Sequence, residues 1–491
     1  MTYLAKRAAA LLLCFSLLFS VSCAAQGPTA DTTAAPAESA EETAAPDAYD
    51  TIRHDVKYDG RTFSLLLTGN SAHTPNDFDS KDGITVMQDA IYRRNLIMEE
   101  QYGVALRAKE SFGSGNGGVT EMNIAYSSGE SPYDLCILGG YDAASLAKSG
   151  MLLDLNLLSG VDFSHSWWDQ AAVRDLTIAG SLFFTNGALS SVVDDFTFCT
   201  VFNKGLFREK VSDGTDLYRL AAEGKWTTEE LARVSALVRE DLNGDTVMDS
   251  RDMYGLMIWD DELLGQFHAA GERIASVNSR GEMEMTMNSE RANSILSQFV
   301  QIGNSDYCIN FQHMTGGVAW YTMFTQDQVL FLMTMFNELS RFRDMQTDYG
   351  ILPNPKFDEN QEWFAPVAPW HCSFICASYA ITDREMTGYI AELLGYHSEK
   401  LLTPAYYEKT LHGTYVRDEE SSAILDIIFP NRVYDLGHIY RIASLQETIT
   451  NMLRSNRPEV FPQIFASTGN ASSRIVEQIN ESFFALKETN K

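Results

Sequence analysis

The sequence predicts an α/β protein built on a parallel, doubly wound sheet, and two observations carry that expectation. From Arg61 to Gly140, short apolar runs of strand type alternate with stretches whose apolar residues recur at helical spacing, and strand–helix–strand order of this kind leads to parallel pairing. The chain is 45% hydrophobic over 491 residues, and some 440 of them follow a polar N-terminal stretch, which is enough for a large core split in two.

Taken in order, RTFSLLLTG reads as a buried strand and DGITVMQDAIYRRNLIMEEQYGV as an amphipathic helix ending near Gly103. VALRAKE is a second strand, VTEMNIAYSSGESP a helix and YDLCILGG a third strand. In such sheets ligands bind beyond the carboxyl ends of the strands, here Thr68-Gly69-Asn70 and Gly139-Gly140-Tyr141. The stretch GSGNGG, Gly113 to Gly118, formally fits a dinucleotide-binding glycine pattern. Its context fails, because the acid that should end the next strand is Asp134, which instead precedes the apolar LCIL.

The N-terminus, MTYLAKRAAALLLCFSLLFSVSC, has Lys6 and Arg7, an apolar run from Ala8 to Phe19, and small residues before a cysteine, which is the layout of a secretory signal. Val21-Ser22-Cys23 resembles a bacterial lipobox, with Ser20 where leucine is usual, so Cys23 is the expected lipidation site and residues 1–23 the signal; simple secretion after cleavage near Ala24 is the alternative. Residues 24–56 are expected to form a disordered acidic tether, the part from Ala24 to Asp50 holding six acids, no base and almost nothing large enough to bury. With 37 basic against 66 acidic side chains, the net charge of −29 argues against a nucleic-acid partner. No later apolar stretch is long enough to span a membrane. Beyond Cys14 and Cys23, the cysteines at 136, 199, 308, 372 and 376 are odd in number and suggest small core residues rather than a disulfide framework. His371 with Cys372 and Cys376 matches no zinc spacing.

The stretch DLNGDTVMDSRD places oxygen side chains at Asp241, Asn243, Asp245, Asp249 and Asp252, with the Val247 carbonyl at position seven, in the register of a calcium loop. Thr246 stands where glycine is usual, Asp252 is shorter than the customary glutamate, and MYGLMIW after the loop reads as a strand. A structural Ca2+ rather than a sensor is the expectation, and a solvated acidic turn is its alternative.

Several stretches in order resemble bacterial extracellular solute-binding proteins of family 1, the sugar-type receptors of ABC importers and relatives of maltose-binding protein. They are YDLCILGGYDAASLAKSGMLLDL, FCTVFNKGLF, EGKWTTEELARVSALVREDLNGD, DYGILPNPKFDENQ, and TPAYYEKTL with RDEESSAILDII, so the resemblance runs from about Thr62 to Asp435. It implies a two-lobe periplasmic-binding-protein-like fold with discontinuous lobes joined by crossing strands. Residues 57–190 with 315–365 would form the first lobe and residues 191–314 with 366–491 the second, the crossings falling near Asp194-Asp195, Gly316 and Pro366. It also implies a monomeric, lipid-anchored, non-enzymatic receptor on the extracellular face that passes a mono- or oligosaccharide to permease subunits.

Sugars are held by aromatic faces and planar polar groups. The candidates are therefore Asn70 and Tyr141 at strand ends, Asp194 and Asp195 at a crossing strand, Trp259 and Trp370 at strand ends of the second lobe, and Phe336 with Asn337 on the first. Trp167, Trp168 and Trp226 read as core. A secreted glycoside hydrolase, which needs two carboxylates flanking one bond, and a calcium-dependent adhesion module are the competing functions; the chain lacks a serine nucleophile elbow and a paired-histidine zinc helix, and has one calcium-type loop rather than a tandem.

Overall fold

In the computed structural model, which describes residues 48–69, 75–80, 85–112, 116–129, 131–411 and 419–489, the first three strands lie where the apolar runs put them. Strand β1 is Arg61–Gly69. Helix α1, Val86–Tyr102, starts where the Thr85 side chain accepts the Gln88 N–H and stops where Gly103 turns left-handed at φ 67° and donates to Glu99. Strand β2 (Val104–Phe112), helix α2 (Gly117–Ser128), strand β3 (Leu135–Gly139) and helix α3 (Gly140–Lys148) follow. Both β2 and β3 pair with β1 in parallel. The run from Leu65 to Gly69 is buried without alternation, as expected of a parallel sheet covered on both faces. Cys23 and Asn70 lie outside the described residues.

After β4 (Phe184–Thr185) the chain leaves this sheet and builds a second one. Five of its six strands are β5 (Phe198–Asn203), β6 (Met253–Ile258), β7 (Cys308–Asn310), β8 (Val329–Met335) and β9 (Tyr349–Leu352), in the order β7-β6-β8-β5-β9, and the two-residue Arg239–Glu240 pairs antiparallel with β6. Helix α4, Glu262–Ala269, follows β6. The chain then passes through β10 (Ala365–Pro366) and returns to the first sheet as β11 (Ser373–Cys376), which pairs antiparallel with both β3 and β4. The first sheet is therefore β2-β1-β3-β11-β4.

Several expectations change here, the first being that the tether does not reach residue 56, since Ala48–Thr51 forms a 3-10 turn and Ile52 and Val56 are buried. Residues 315–365 do not return to the first lobe, because β8 pairs with β5 and β6, and β9 with β5. Residues from 366 do not go straight to the second, because β11 completes the first sheet and α5, Arg384–Leu411, packs against α1. Gly316 is no crossing: a Cβ there would meet the Asp249 carboxyl at 2.7 Å, in the loop before β6. The third crossing comes later, where β12 (Arg432–Val433) pairs in parallel with β10 after α6, Glu419–Ile428. The bridge between Thr197 and Val367 joins the other two crossings. Helices α7 (Leu436–Ile439), α8 (Leu445–Ser455) and α9 (Phe461–Thr489) end the chain. The five described cysteines are free and buried, and no helix among the described residues is long and apolar enough to cross a membrane.

The tryptophans assigned to the core are buried. Trp167 and Trp168 donate their indole N–H groups to Glu392 of α5 at 3.0 and 2.7 Å, and the same carboxylate accepts the Asp162 N–H at 2.8 Å and lies 3.0 Å from His165 Nδ1. An acceptor shared by buried donors is costly to remove, since each donor left alone keeps its desolvation penalty. Glu392→Ala should therefore destabilise the protein by about 3 kcal/mol or more, and Glu392→Gln by less, in urea-unfolding midpoints measured at neutral pH.

Candidate functional site

Tyr141 sits in the first turn of α3, beyond the carboxyl end of β3, as the strand-end rule expects. Its ring packs on Trp370 at 5.3 Å, and Trp370 is 43% exposed. The two meet because the crossing segment runs against the start of α3, so closely that a Cβ on Gly140 would stand 2.5 Å from the Pro369 carbonyl. Tyr141, Trp370 and His371 form one wall of a cavity of about 300 Å³. Val367, Ala368 and Pro369 of the crossing also line it, and Phe198, Asp261, Leu264, Gly265 and His268 come from the second lobe. His438, Arg441, Gln446, Glu447 and Thr450 close the ring from the C-terminal helices.

Trp259 follows β6 and is largely buried behind this cavity. Its ring lies 5.9 Å from Phe198 and 6.0 Å from His371, and its Nε1 donates to Glu262 at 3.2 Å. Glu262 also accepts from Asn354 at 2.7 Å, and its complete burial pushes its carboxyl up to about 8, so it is protonated at neutral pH. Burial, with Asp260 alongside, raises Asp261 to about 6. Asp260 itself is held low by Arg454, His313 and Asn310, whose hydrogen bonds outweigh its desolvation.

The polar wall is aimed by Asp435. It caps α7 by accepting the Gly437 and His438 N–H groups and also takes those of Ile274 and Ala275. His268 Nδ1 lies 3.1 Å from the Glu272 carbonyl and 3.4 Å from Asp435. Burial lowers both His268 and His438 to about 3, so each is neutral. Arg441 pairs with Glu447 and lies over the Tyr141 ring at 5.1 Å. Arg441, Ala443 and Ser444 all adopt left-handed φ near +50°, a strained turn for non-glycine residues of the kind that gathers at functional sites.

The other candidates lie elsewhere. Asp194 and Asp195 do not alternate along a strand; they close a helical turn, Val192–Asp195. Asp194 pairs with Arg432, which also binds Asp169 at 2.9 Å, while Asp195 accepts the Tyr406 hydroxyl at 2.8 Å and lies 3.5 Å from Lys409. Asp194 lines a separate cavity of about 340 Å³ with Trp168, Tyr406, Tyr407 and Phe429, where Arg432 already pairs with both Asp194 and Asp169. Phe336 and Asn337 follow β8 of the second lobe rather than lying on the first; Phe336 is buried 5.0 Å from Phe429, and Asn337 donates to Glu338. Trp370 precedes a strand of the first sheet, not the second.

In the loop from Asp241 to Asp252 the side-chain oxygens accept hydrogen bonds from within the loop itself. Asp241 accepts the Gly244 and Thr246 N–H groups, Asn243 that of Asp245, and Asp252 those of Leu242 and Asp249. The Arg251 guanidinium takes Asp249 and Asp245, and Val247 is exposed. Thr246 adopts the left-handed turn, φ 67°, that glycine would fill. Among the described residues no group of three or more His, Cys, Asp or Glu side chains could hold a metal ion.

Solved structures share this path of the chain. The sugar-binding protein MalE from Xanthomonas citri matches with a TM-score of 0.56 at 10% identity, over 87% of this chain and 99% of that one. A cyclo/maltodextrin-binding protein complexed with maltotetraose gives 0.54 at 14% identity, over 88% and 98%. An ABC substrate-binding protein from Listeria monocytogenes in complex with cycloalternan gives 0.52 at 13%, over 87% and 99%. The fold is that of a two-lobe solute-binding protein. No family model and no curated protein matches the chain.

In that fold the cavity at Tyr141 and Trp370 lies between the lobes. Tyr141 and Trp370 are brought together at it, with Trp259 behind, whereas Asp194, Asp195, Phe336 and Asn337 are not part of it. His268, Asp261, His438, Arg441, Gln446 and Glu447 were not foreseen. The signal for His438 was the local Asp435-Leu436-Gly437-His438 cap, and for the rest only long-range packing supplies it.

Because the folded value of Glu262 is raised from about 4.5 to about 8, this residue's contribution is fully present below pH 4.5 and is lost as pH rises through 8. Glu262→Gln should flatten this part of the stability–pH profile, so that the variant exceeds the unmutated protein in urea midpoint at pH 9 but not at pH 5.

Proposed function

We propose that this protein captures a carbohydrate in the inter-lobe cavity and delivers it to an ABC import permease, held at the outer face of the membrane by a lipid on Cys23. The observation that carries the reading is the cavity itself. An exposed indole and a tyrosine on one wall face histidine, glutamine and carboxylate side chains on the other, a pairing suited to the C–H faces and hydroxyls of a sugar. The fold, shared with sugar-binding proteins, supports it. Binding without chemistry is the simpler use of the site, although Asp261 and Glu447 both line the cavity and carboxylates are what a hydrolase would need.

Ligand that binds only the folded state stabilises it by about 2.7 kcal/mol at a hundredfold excess over Kd. In a thermal-shift panel of mono- and oligosaccharides, amino acids and short peptides, at least one sugar should raise the melting temperature and be recovered unchanged. A shift from peptides alone would refute carbohydrate capture, and cleavage of the sugar would make the protein a hydrolase.

Cys23→Ala should release the protein from membranes into the medium, measured by fractionation of the producing cells, because a lipid on the terminus is what the proposal uses as an anchor.

A further inference from the structure

The cavity between the lobes has an unusual concentration of polar atoms without partners. Buried hydrogen-bonding groups are nearly always paired, and each one left alone costs roughly 1–3 kcal/mol. His268 Nε2, His438 Nδ1, Gln446 Oε1 and Nε2, and Glu447 Oε2 are all buried and unpartnered, and their four residues line this one cavity. A second cavity, of about 700 Å³, lies on the far side of Tyr141, Trp370 and Arg441, which line both. It continues past Asn116, Ser145 and Lys148, and one of its walls is Tyr440, whose buried hydroxyl also lacks a partner.

Resting on the proposed function, we infer that the ligand is an uncharged oligosaccharide of two or more rings. One ring occupies the inner compartment with its hydroxyls on His268, His438 and Gln446, and the chain crosses the Trp370–Tyr141 edge into the outer compartment. A ring hydroxyl both donates and accepts, so it satisfies an amide oxygen, an amide nitrogen and a neutral imidazole alike. A charged group is not called for: both histidines are neutral, and Arg441 is already answered by Glu447. The exposed Trp370 stands at the junction, where a second ring would lie against an aromatic surface rather than in water.

The test is calorimetric titration of the purified protein with sugars of increasing length in four series: glucose to maltotetraose, xylose to xylotetraose, mannose to mannotetraose, and N-acetylglucosamine to its tetramer. In the series that binds, affinity should rise about tenfold or more, equivalent to about 1.4 kcal/mol, between the monosaccharide and the di- or trisaccharide. Trp370→Ala should abolish that rise, weakening the oligosaccharides about tenfold more than it weakens the monosaccharide. His438→Gln should weaken every length by a similar factor; circular dichroism confirms that both variants fold. A monosaccharide that binds as tightly as its oligomers overturns this inference and leaves sugar capture standing. Failure of all four series to bind overturns both.

Discussion

The chain passes between its two sheets in segments that lie side by side, and the side chain that holds these segments together is Arg432. It is nearly enclosed, it pairs with Asp169 of the first lobe and with Asp194 at the foot of the first crossing, and it lies against Phe429. A buried guanidinium has a heavy desolvation cost that only well-placed partners offset. The backbone adds little here, since β10 and β12 share only a two-residue ladder and one bridge joins Thr197 to Val367. The connection between the lobes thus depends on a charge network at one side and short ladders at the centre. Because the same crossing supplies Val367, Ala368, Pro369 and then Trp370, the position of the cavity wall follows from the position of Arg432.

The cavity and the crossing solve opposite problems. At the crossing every carboxylate has a cation or a hydroxyl, as Asp194, Asp169 and Asp195 show. In the cavity the histidines, Gln446 and Glu447 retain unpaired atoms, and the turn that delivers the last two contains three left-handed non-glycine residues. Strain and unsatisfied polar groups of this kind are retained where something other than stability is being served. Glu262 belongs to the supporting layer: as a neutral acid it holds the Trp259 indole, which packs behind His371 and Phe198.

Much of the first sheet was legible in the sequence because strands buried on both faces are short apolar runs bounded by glycine, as RTFSLLLTG and YDLCILGG are. Tyr141 followed from the same rule, since it stands just past a strand end. The exchange of strands between sheets was not legible: VLFLMTM and SFIC are equally apolar, and hydrophobicity says that each is buried, not in which sheet. Asp194 looked like a ligand because its partner Arg432 is 238 residues away in the chain. In the loop from Asp241 to Asp252 the spacing of oxygens could be read, but their directions could not, and Arg251, inside the loop itself, takes two of the carboxylates.

If an uncharged sugar completes the unpaired groups between the lobes, as proposed, it should accompany the protein through purification. Native mass spectrometry of the protein purified from its producing cells, without added ligand, tests this most directly. The expected result is a bound species whose mass is that of an oligosaccharide, displaced when the binding sugar is added in excess. A co-purified peptide, amino acid or anionic metabolite in its place would contradict it.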